Sequence, residues 1–295
     1  MLVSVTSKKG GTGATTVALT LATLISKTNL KCCVVDLKSS QDYAKILNLD
    51  PSSNLDHLIT ELGINNEFIK VSDNIHKYGS MDVLLGTVVE LNGYLFKKAM
   101  RLKELFEYLE DSYDIVLIDM KEDRLSTKLN NLGLTIYPIH VMDQNLLVTS
   151  LYQDEMKKEL HGALVINKVN DSIYPDRKVF QSIYSNKDIF FLPYSNNVGG
   201  FLNETIRNGN LATKLLAKDQ VFITEIKKLL NLVLKVNKEY NEKYLSFSED
   251  SGSSFKEFLE NADKLQKGTK KPKAANKTVK SKKGIFSFLS RKGAK

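Results

Sequence analysis

Residues 7–16 read SKKGGTGATT, and this stretch decides the fold of the 295-residue chain. It stands between an apolar run at residues 2–6 (LVSVT) and an apolar helical pattern that begins at position 14. A glycine-rich turn between a buried strand and a helix N-terminus gathers backbone N–H groups that bind phosphate. Glycine permits the close approach and the tight bends that such a turn needs. The stretch therefore predicts a phosphate-binding loop.

Short apolar runs of strand length recur along the chain, with helical patterns between them. Because these runs are nearly continuous, they are typical of strands buried on both faces. Alternating strands and helices predict an α/β fold with a doubly wound, mostly parallel sheet flanked by helices. The predicted strands cover residues 2–6, 31–36, 81–86, 114–119, 133–138, 163–167 and 189–192. The predicted helices include 14–27, 95–110, 144–158 and 219–236.

The net charge of +8 is concentrated near the C-terminus. Residues 256–295 contain thirteen Lys or Arg against three acidic residues, so the rest of the chain is close to neutral. No apolar run approaches the ~20 residues that a transmembrane helix needs. A basic tail on a nearly neutral body predicts a polyanionic partner, either a membrane surface or nucleic acid.

Composition divides the chain into three parts. Residues 1–245 carry the strand and helix patterns and are predicted to form a nucleotide-binding domain. Residues 246–283 begin with a Ser-rich stretch, and positions 267–283 contain eight lysines and no acid, so this part is predicted to be a flexible, Lys-rich, disordered linker. Residues 284–295 form the third part, a short segment that combines apolar and basic side chains.

The apolar residues of that last segment share one face of a helix, since they are spaced i, i+1, i+3 and i+4. They are Ile285, Phe286, Phe288 and Leu289, and lysines flank them on both sides. A helix this short is unstable in water, but it can fold on an anionic bilayer with lysines at the head groups. We therefore predict an amphipathic membrane-targeting segment. Two alternatives stay open: nonspecific DNA as partner of the lysines, and docking of the apolar face on the chain's own core.

The octapeptide KGGTGATT at residues 9–16 resembles the deviant phosphate loop KGGxGKTT of the MinD/ParA family of P-loop ATPases. In that family the early lysine, here Lys9, reaches across a nucleotide-sandwich homodimer to the partner's phosphates. The resemblance implies ATP and Mg²⁺ as cofactors and extends over about the first 240 residues. The loop residues implied to bind the nucleotide are Gly10, Gly11, Thr12, Gly13, Ala14, Thr15 and Thr16.

Four later positions fit the same resemblance. Asp36 is similar to the first acid of the family's D-x-D segment, and Asp119 to its Walker B acid, which implies a Mg²⁺ site together with Thr15. Asn167 resembles a residue that contacts adenine, and Pro193 lies in a segment similar to one that borders the base. Taken singly, the two acids could also cap strand ends, and Asn167 could be a turn residue.

Two positions depart from the family pattern. Ala14 stands where the family has the lysine that neutralises phosphate charge, and Lys38 stands where the second acid of D-x-D lines up water. Because phosphoryl transfer relies on positioning and charge stabilisation, these changes should harm hydrolysis more than binding. Whether the chain is an enzyme therefore stays open. One hypothesis is that Lys38 restores positive charge near the γ-phosphate; the alternative is a solvated surface lysine.

The resemblance implies an ATP-binding protein that positions a cargo within the cell. We expect it to be cytoplasmic, to dimerise on nucleotide and to attach peripherally to the inner face of the cell membrane through its tail, with weak or absent hydrolysis. Two alternatives remain: an active ParA-type ATPase in DNA or plasmid partitioning, and a scaffold that has lost its nucleotide.

Overall fold

A computed structural model describes residues 1–61, 71–87, 94–121, 124–145, 162–184, 188–208 and 218–237. The predicted linker and the membrane-targeting segment lie outside the described residues. So does the helix predicted at 144–158, apart from its first two positions. The domain boundary at residue 245 therefore stays a prediction.

Strands and helices alternate along most of the described chain. The strands are β1 (Leu2–Thr6), β2 (Cys32–Asp36), β3 (Ile75–Tyr78), β4 (Met81–Leu84), β5 (Ile115–Met120), β6 (Ile136–Asp143), β7 (Ala163–Val169) and β8 (Asp188–Pro193). The helices are α1 (Ala14–Ile25), α2 (Asp42–Leu47), α3 (Leu55–Glu61), α4 (Tyr94–Lys97), α5 (Ala99–Ser112), α6 (Arg124–Asn131), α7 (Arg177–Ile183), α8 (Asn196–Asn208) and α9 (Gln220–Val236), with one 3₁₀ turn at Val71–Asn74.

The strands form one sheet with the order β3-β4-β2-β5-β1-β6-β7-β8. Every neighbouring pair is parallel except β3 and β4, which form an antiparallel hairpin at one edge. The predicted doubly wound, mostly parallel sheet is confirmed. The hairpin strand β3 was not predicted, because its sequence IHKY has two adjacent polar residues in its middle and is only four residues long.

The core lies on both faces of the sheet, as the continuous apolar runs predict. All residues of β1, β2 and β5 are buried. Successive side chains of a strand point to opposite faces, so Val3 and Val5 join a cluster with α1 and α9, whereas Leu2 joins a cluster with α5. Helix α1 is buried over ten of its twelve residues, so its position against the sheet is fixed.

Strand β6 begins and ends later than the predicted range of 133–138. Gly133 adopts a left-handed conformation (φ 96°) in the turn after α6, and the strand starts at Ile136. Pro138 and His140 lie within the strand and interrupt its apolar pattern. None of the helices in the described ranges is long and apolar enough to cross a bilayer.

Candidate functional site

The predicted phosphate loop lies between the C-terminal end of β1 and the start of α1. Strand β1 pairs with β5 on one side and β6 on the other, so the loop lies at the point where the sheet order reverses. Open α/β sheets bind their ligands at such a point. Gly11 (φ 80°) and Gly13 (φ 94°) both adopt the left-handed conformation that favours glycine.

Helix α1 begins with an open N-terminus. Gly13 is its N-cap residue, and no side chain caps the first turn. The first intrahelical bond runs from the Val17 N–H to the Gly13 carbonyl at 2.9 Å, so the earlier amides of the helix lack intrahelical acceptors. Unsatisfied amides at a helix N-terminus bind anions. The loop therefore has the backbone geometry of a phosphate site.

Side chains brace this loop through its carbonyl groups. The Ser7 hydroxyl donates to the Lys9 carbonyl at 2.8 Å and accepts from the Thr12 hydroxyl at 2.6 Å. From β7, the Asn167 amide donates to the Thr12 carbonyl at 2.8 Å, and the Lys168 ammonium donates to the Gly11 carbonyl at 2.5 Å. These bonds commit loop carbonyls to protein donors and hold the loop in place.

Asp36 and Asp119 are neighbours in register on β2 and β5, and both are fully buried. The Oδ1 atom of Asp36 accepts the Lys38 N–H at 2.9 Å. The Asp36 Oδ2 atom has no hydrogen-bond partner among the described residues. Burial and then repulsion from Asp119 raise the pKa of Asp36 to about 7. Burial also raises the pKa of Asp119, against the lowering effect of the Lys38 ammonium.

Lys38 points into this pair of acids. Its ammonium donates a hydrogen bond to the Thr15 hydroxyl at 2.6 Å and lies 2.6 Å from the Asp119 Oδ1 atom. The second contact is a short ion pair that offsets the charge of the buried Asp119 carboxylate. Only 16% of the Lys38 side chain is exposed. Of the two alternatives for Lys38, the solvated surface lysine is wrong.

The turn after β2 holds Lys38 in this position. The Leu37 N–H donates to the Asp119 carbonyl at 2.9 Å. Gly86 packs so closely on this turn that an added Cβ would lie 2.4 Å from the Lys38 carbonyl oxygen. The Gln41 side chain donates to the Gly86 carbonyl at 3.0 Å. Sequence reasoning missed Gly86 and Gln41; the glycine directly after the apolar run MDVLL was the one local signal.

The three predicted metal ligands supply a set of oxygen atoms. Mg²⁺ prefers oxygen ligands in octahedral geometry, and the Thr15 hydroxyl and the two buried acids offer them. However, the Lys38 ammonium already bridges Thr15 and Asp119, where a cation bound to both would lie. No group of three or more His, Cys, Asp or Glu suited to a metal occurs within the described ranges. As the chain stands, this set does not fit Mg²⁺.

The residues predicted near the base lie at the C-terminal ends of β7 and β8. Asn167 is 7% exposed, and its amide braces the phosphate loop; the adenine contact stays a prediction. Pro193 pairs with Val169 in the sheet and is partly buried. Beside these strand ends lies a depression of about 480 Å³, lined by Lys168, Val169, Asn170, Asp171, Ile173 and Tyr194.

Gln144 shapes that depression and was also missed from the sequence. Its side-chain amide donates to the backbone carbonyls of Asn170, Ile173 and Pro175 at 2.7–3.0 Å. Its carbonyl oxygen accepts the Asn170 N–H at 2.8 Å. One glutamine therefore fixes the loop that follows β7. Gln144 lies far along the chain from the backbone groups that it contacts, so no local sequence pattern indicates these hydrogen bonds.

The two remaining loop predictions concern side chains. Ala14 is 6% exposed and packs into the core cluster around α1, so its side chain offers nothing to a phosphate. Lys9 is partly exposed. Its predicted reach to a partner subunit stays a prediction.

Residues 1–136 match the family model of the AAA domain. No curated protein sequence matches the chain. The fold is similar to that of a septum site-determining protein, MinD, of Pyrococcus horikoshii OT3 complexed with Mg-ADP (TM-score 0.60, 20% identity, covering 82% of this chain and 100% of that one). It is also similar to a protein assigned to plasmid partition in Borrelia burgdorferi B31, bound to AMPPNP (TM-score 0.56, 19% identity, covering 80% of this chain and 100% of that one). A third similar chain comes from the MinC:MinD cell division complex of Aquifex aeolicus (TM-score 0.57, 16% identity, covering 80% of this chain and 96% of that one). At these identities the neighbours show the fold alone.

Proposed function

We propose that this chain is an ATP-binding spatial-positioning protein. The proposal is supported by a fold and a family match that are consistent with a member of the MinD/ParA family of P-loop ATPases. The chain binds the nucleotide at the loop of residues 9–16, dimerises on it, and attaches to an anionic membrane through residues 284–295. It hydrolyses ATP weakly or not at all. Its place in the cell is the cytoplasm and the inner face of the cell membrane, where it holds a protein cargo.

The observation that carries this proposal is the conformation of the phosphate loop. Left-handed Gly13 caps α1 without a side chain, and side chains of β7 hold the loop carbonyls away from the helix N-terminus. This geometry supports anion binding by backbone amides, which do not depend on the residue at position 14. Similar folds that contain AMPPNP or Mg-ADP favour a nucleotide as the anion.

Weak hydrolysis follows from the side chains at two positions. Ala14 supplies no positive charge to a developing phosphate transition state, and Lys38 supplies no carboxylate to orient water. An electrostatic group of this kind contributes about 10²–10³-fold to a rate when it is aimed at the developing charge. The backbone groups that bind the ground state remain. We therefore expect binding without appreciable turnover.

Nucleotide binding can be tested by thermal melting of the full chain with ATP. A ligand at about 100 times its Kd stabilises the folded state by about 2.7 kcal/mol. For a domain of this size that raises Tm by about 5–10 °C. Gly13→Ala is the disrupting variant, and Gly199→Ala on α8, outside the loop, is its matched control, because its added Cβ would also meet open space. A Tm that ATP leaves unchanged would favour the scaffold without nucleotide.

Turnover can be measured as phosphate release. We expect the rate of phosphate release by the wild type to equal that of a blank without protein. A double variant with the family residues at both altered positions, Ala14→Lys with Lys38→Asp, should release phosphate faster. Robust turnover by the wild type would contradict the proposal and favour the active ATPase.

Membrane attachment can be tested by flotation with anionic and with neutral vesicles, with and without ATP. Each basic residue near an anionic surface contributes about 1 kcal/mol, and two anchors in a dimer bind more firmly than one. The variant Phe286→Ser/Phe288→Ser should lose flotation but keep any retention on DNA. Lys282→Gln/Lys283→Gln should weaken both. Retention on DNA that salt abolishes, without flotation, would favour the partitioning alternative, for which the lysine run is the specific observation.

A further inference from the structure

We infer that the Lys38 ammonium is a built-in cation that replaces Mg²⁺ in this site, so that the protein binds a nucleoside triphosphate without a divalent metal. The inference rests on the proposed function, because it concerns the same phosphate loop. It goes beyond that function by naming which cation meets the phosphates and by excluding the metal that the fold implies.

The first step is the position of the ammonium. It contacts the Thr15 hydroxyl at 2.6 Å and the Asp119 carboxylate at 2.6 Å. These are two of the three groups predicted to hold the metal. Mg²⁺ binds its oxygen ligands at about 2.0–2.1 Å. A metal bound to the Thr15 hydroxyl would therefore have to share that oxygen with a neighbouring positive charge, and the two cations exclude each other.

The second step is the hydrogen-bonding capacity of the ammonium. A lysine ammonium has three N–H donors and no acceptor. One donor is used by Thr15, and the ion pair with Asp119 occupies a second direction. Among the described residues no further acceptor contacts this ammonium, so we assign its third donor to an oxygen of the ligand. Thr15 is the second residue of α1, so the ammonium lies at the helix N-terminus where a phosphate binds.

The third step is that backbone contacts hold the turn that carries Lys38 beside the two acids. The neighbouring Leu37 N–H is bonded to the Asp119 carbonyl, and Gly86 packs directly on the Lys38 carbonyl. The Asp36 carboxylate accepts the Lys38 N–H at 2.9 Å. These three contacts fix the backbone of the turn, and a side chain that left the site would give up the ion pair of the buried Asp119 carboxylate. A free metal would compete with a cation that is already tethered.

The test is a titration of the full chain with the fluorescent analogue mant-ATP, once with Mg²⁺ and once with EDTA. For the wild type we expect the two Kd values to agree within about twofold, because a charge-assisted contact to the phosphates is already present. Lys38→Met removes that contact and should weaken binding in EDTA by about tenfold or more. Lys38→Asp should bind about tenfold more tightly with Mg²⁺ than with EDTA. Lys45→Met, an exposed lysine on α2, is the matched control and should behave as the wild type.

The wild-type titration tests metal-free binding of the nucleotide even if a variant fails to fold. Binding that Mg²⁺ tightens about tenfold or more would overturn the metal-free inference while leaving the proposed nucleotide function intact. Absence of mant-ATP binding under both conditions would overturn the inference and the proposed function together. Electron paramagnetic resonance with Mn²⁺ gives an independent readout: we expect the same Mn²⁺ spectrum with ATP alone and with ATP plus the wild type, and a spectrum of protein-bound Mn²⁺ would overturn the inference.

Discussion

Replacing Asp36 with asparagine should stabilise the ligand-free protein at neutral pH, and this gain should fade in mild acid. Asp36 is fully buried beside Asp119, and its Oδ2 atom has no hydrogen-bond partner among the described residues. Burial first, and then the neighbouring acid, raise its pKa from the ordinary 3.8 to about 7. Asparagine keeps an oxygen that can accept the Lys38 N–H, but it carries no charge.

The magnitude follows from the linkage between proton binding and folding. Between about pH 4 and about pH 7 the folded protein holds a proton on Asp36 that the unfolded chain releases, so stability falls as pH rises through this window and then levels off. Each pKa unit corresponds to about 1.4 kcal/mol. A shift of about three units therefore costs the folded wild type about 4 kcal/mol at about pH 8. Asp36→Asn escapes that cost.

Urea unfolding of the full chain at several values from about pH 5 to about pH 8 gives the comparison. The unfolding free energy of Asp36→Asn should exceed that of the wild type by up to about 4 kcal/mol at the alkaline end, and the difference should shrink toward about pH 4. Asp111→Asn is the matched control, because Asp111 is an exposed acid near the end of α5. It should shift stability by about 0.5 kcal/mol at most.

Two results would refute this reasoning. An unfolding free energy of Asp36→Asn at or below that of the wild type at all pH values would mean that the buried carboxylate carries no cost. A constant difference across the pH range would mean that the effect comes from packing rather than from ionisation.

Three further predictions concern residues of the phosphate loop and of the segments that hold the site in place. Gly13→Ala should cost about 1–3 kcal/mol and abolish ATP-induced stabilisation, because its φ is 94° and the added Cβ would lie 2.3 Å from the Asn167 amide; Gly199→Ala on α8 should leave the melting curve nearly unchanged. Gly86→Ala should cost about 1–3 kcal/mol in urea unfolding, since its Cβ would meet backbone carbonyls of the turn after β2, and equal stability would contradict that contact. Asn167→Ala leaves the Thr12 carbonyl without its buried donor and should also cost about 1–3 kcal/mol, a loss that melting without nucleotide would detect.

Much of the sheet could be predicted because its strands are buried on both faces. The predicted ranges for β1, β2, β5 and β7 agree with the structure within about two residues, the usual uncertainty of strand ends. Strand β3 was missed and β6 was shifted, because polar or proline residues interrupt their apolar patterns. The short helices α2, α7 and α8 were not predicted either, since six to thirteen residues with mixed surfaces give a weak periodic signal.

The candidate site was predicted in its parts but not in its contacts. The sequence indicated Thr15, Asp36 and Asp119, and the register of β2 and β5 brings the two acids side by side. The bracing contacts could not be predicted, because the residues that make them lie far from their partners along the chain. Gln41 contacts Gly86 across 45 positions, and Asn167 contacts Thr12 across 155.

By itself, the sequence determined that a glycine loop follows a buried strand, that position 14 carries no cation, and that a lysine stands two residues after the predicted strand 31–36. These are local facts, since backbone freedom, apolar runs and residue chemistry are written along the chain. Only the tertiary structure decided that the Lys38 ammonium lies between Thr15 and Asp119. That outcome depends on which strands are neighbours and in which register, because β5 must pair with both β2 and β1 to bring these three residues within reach of one another.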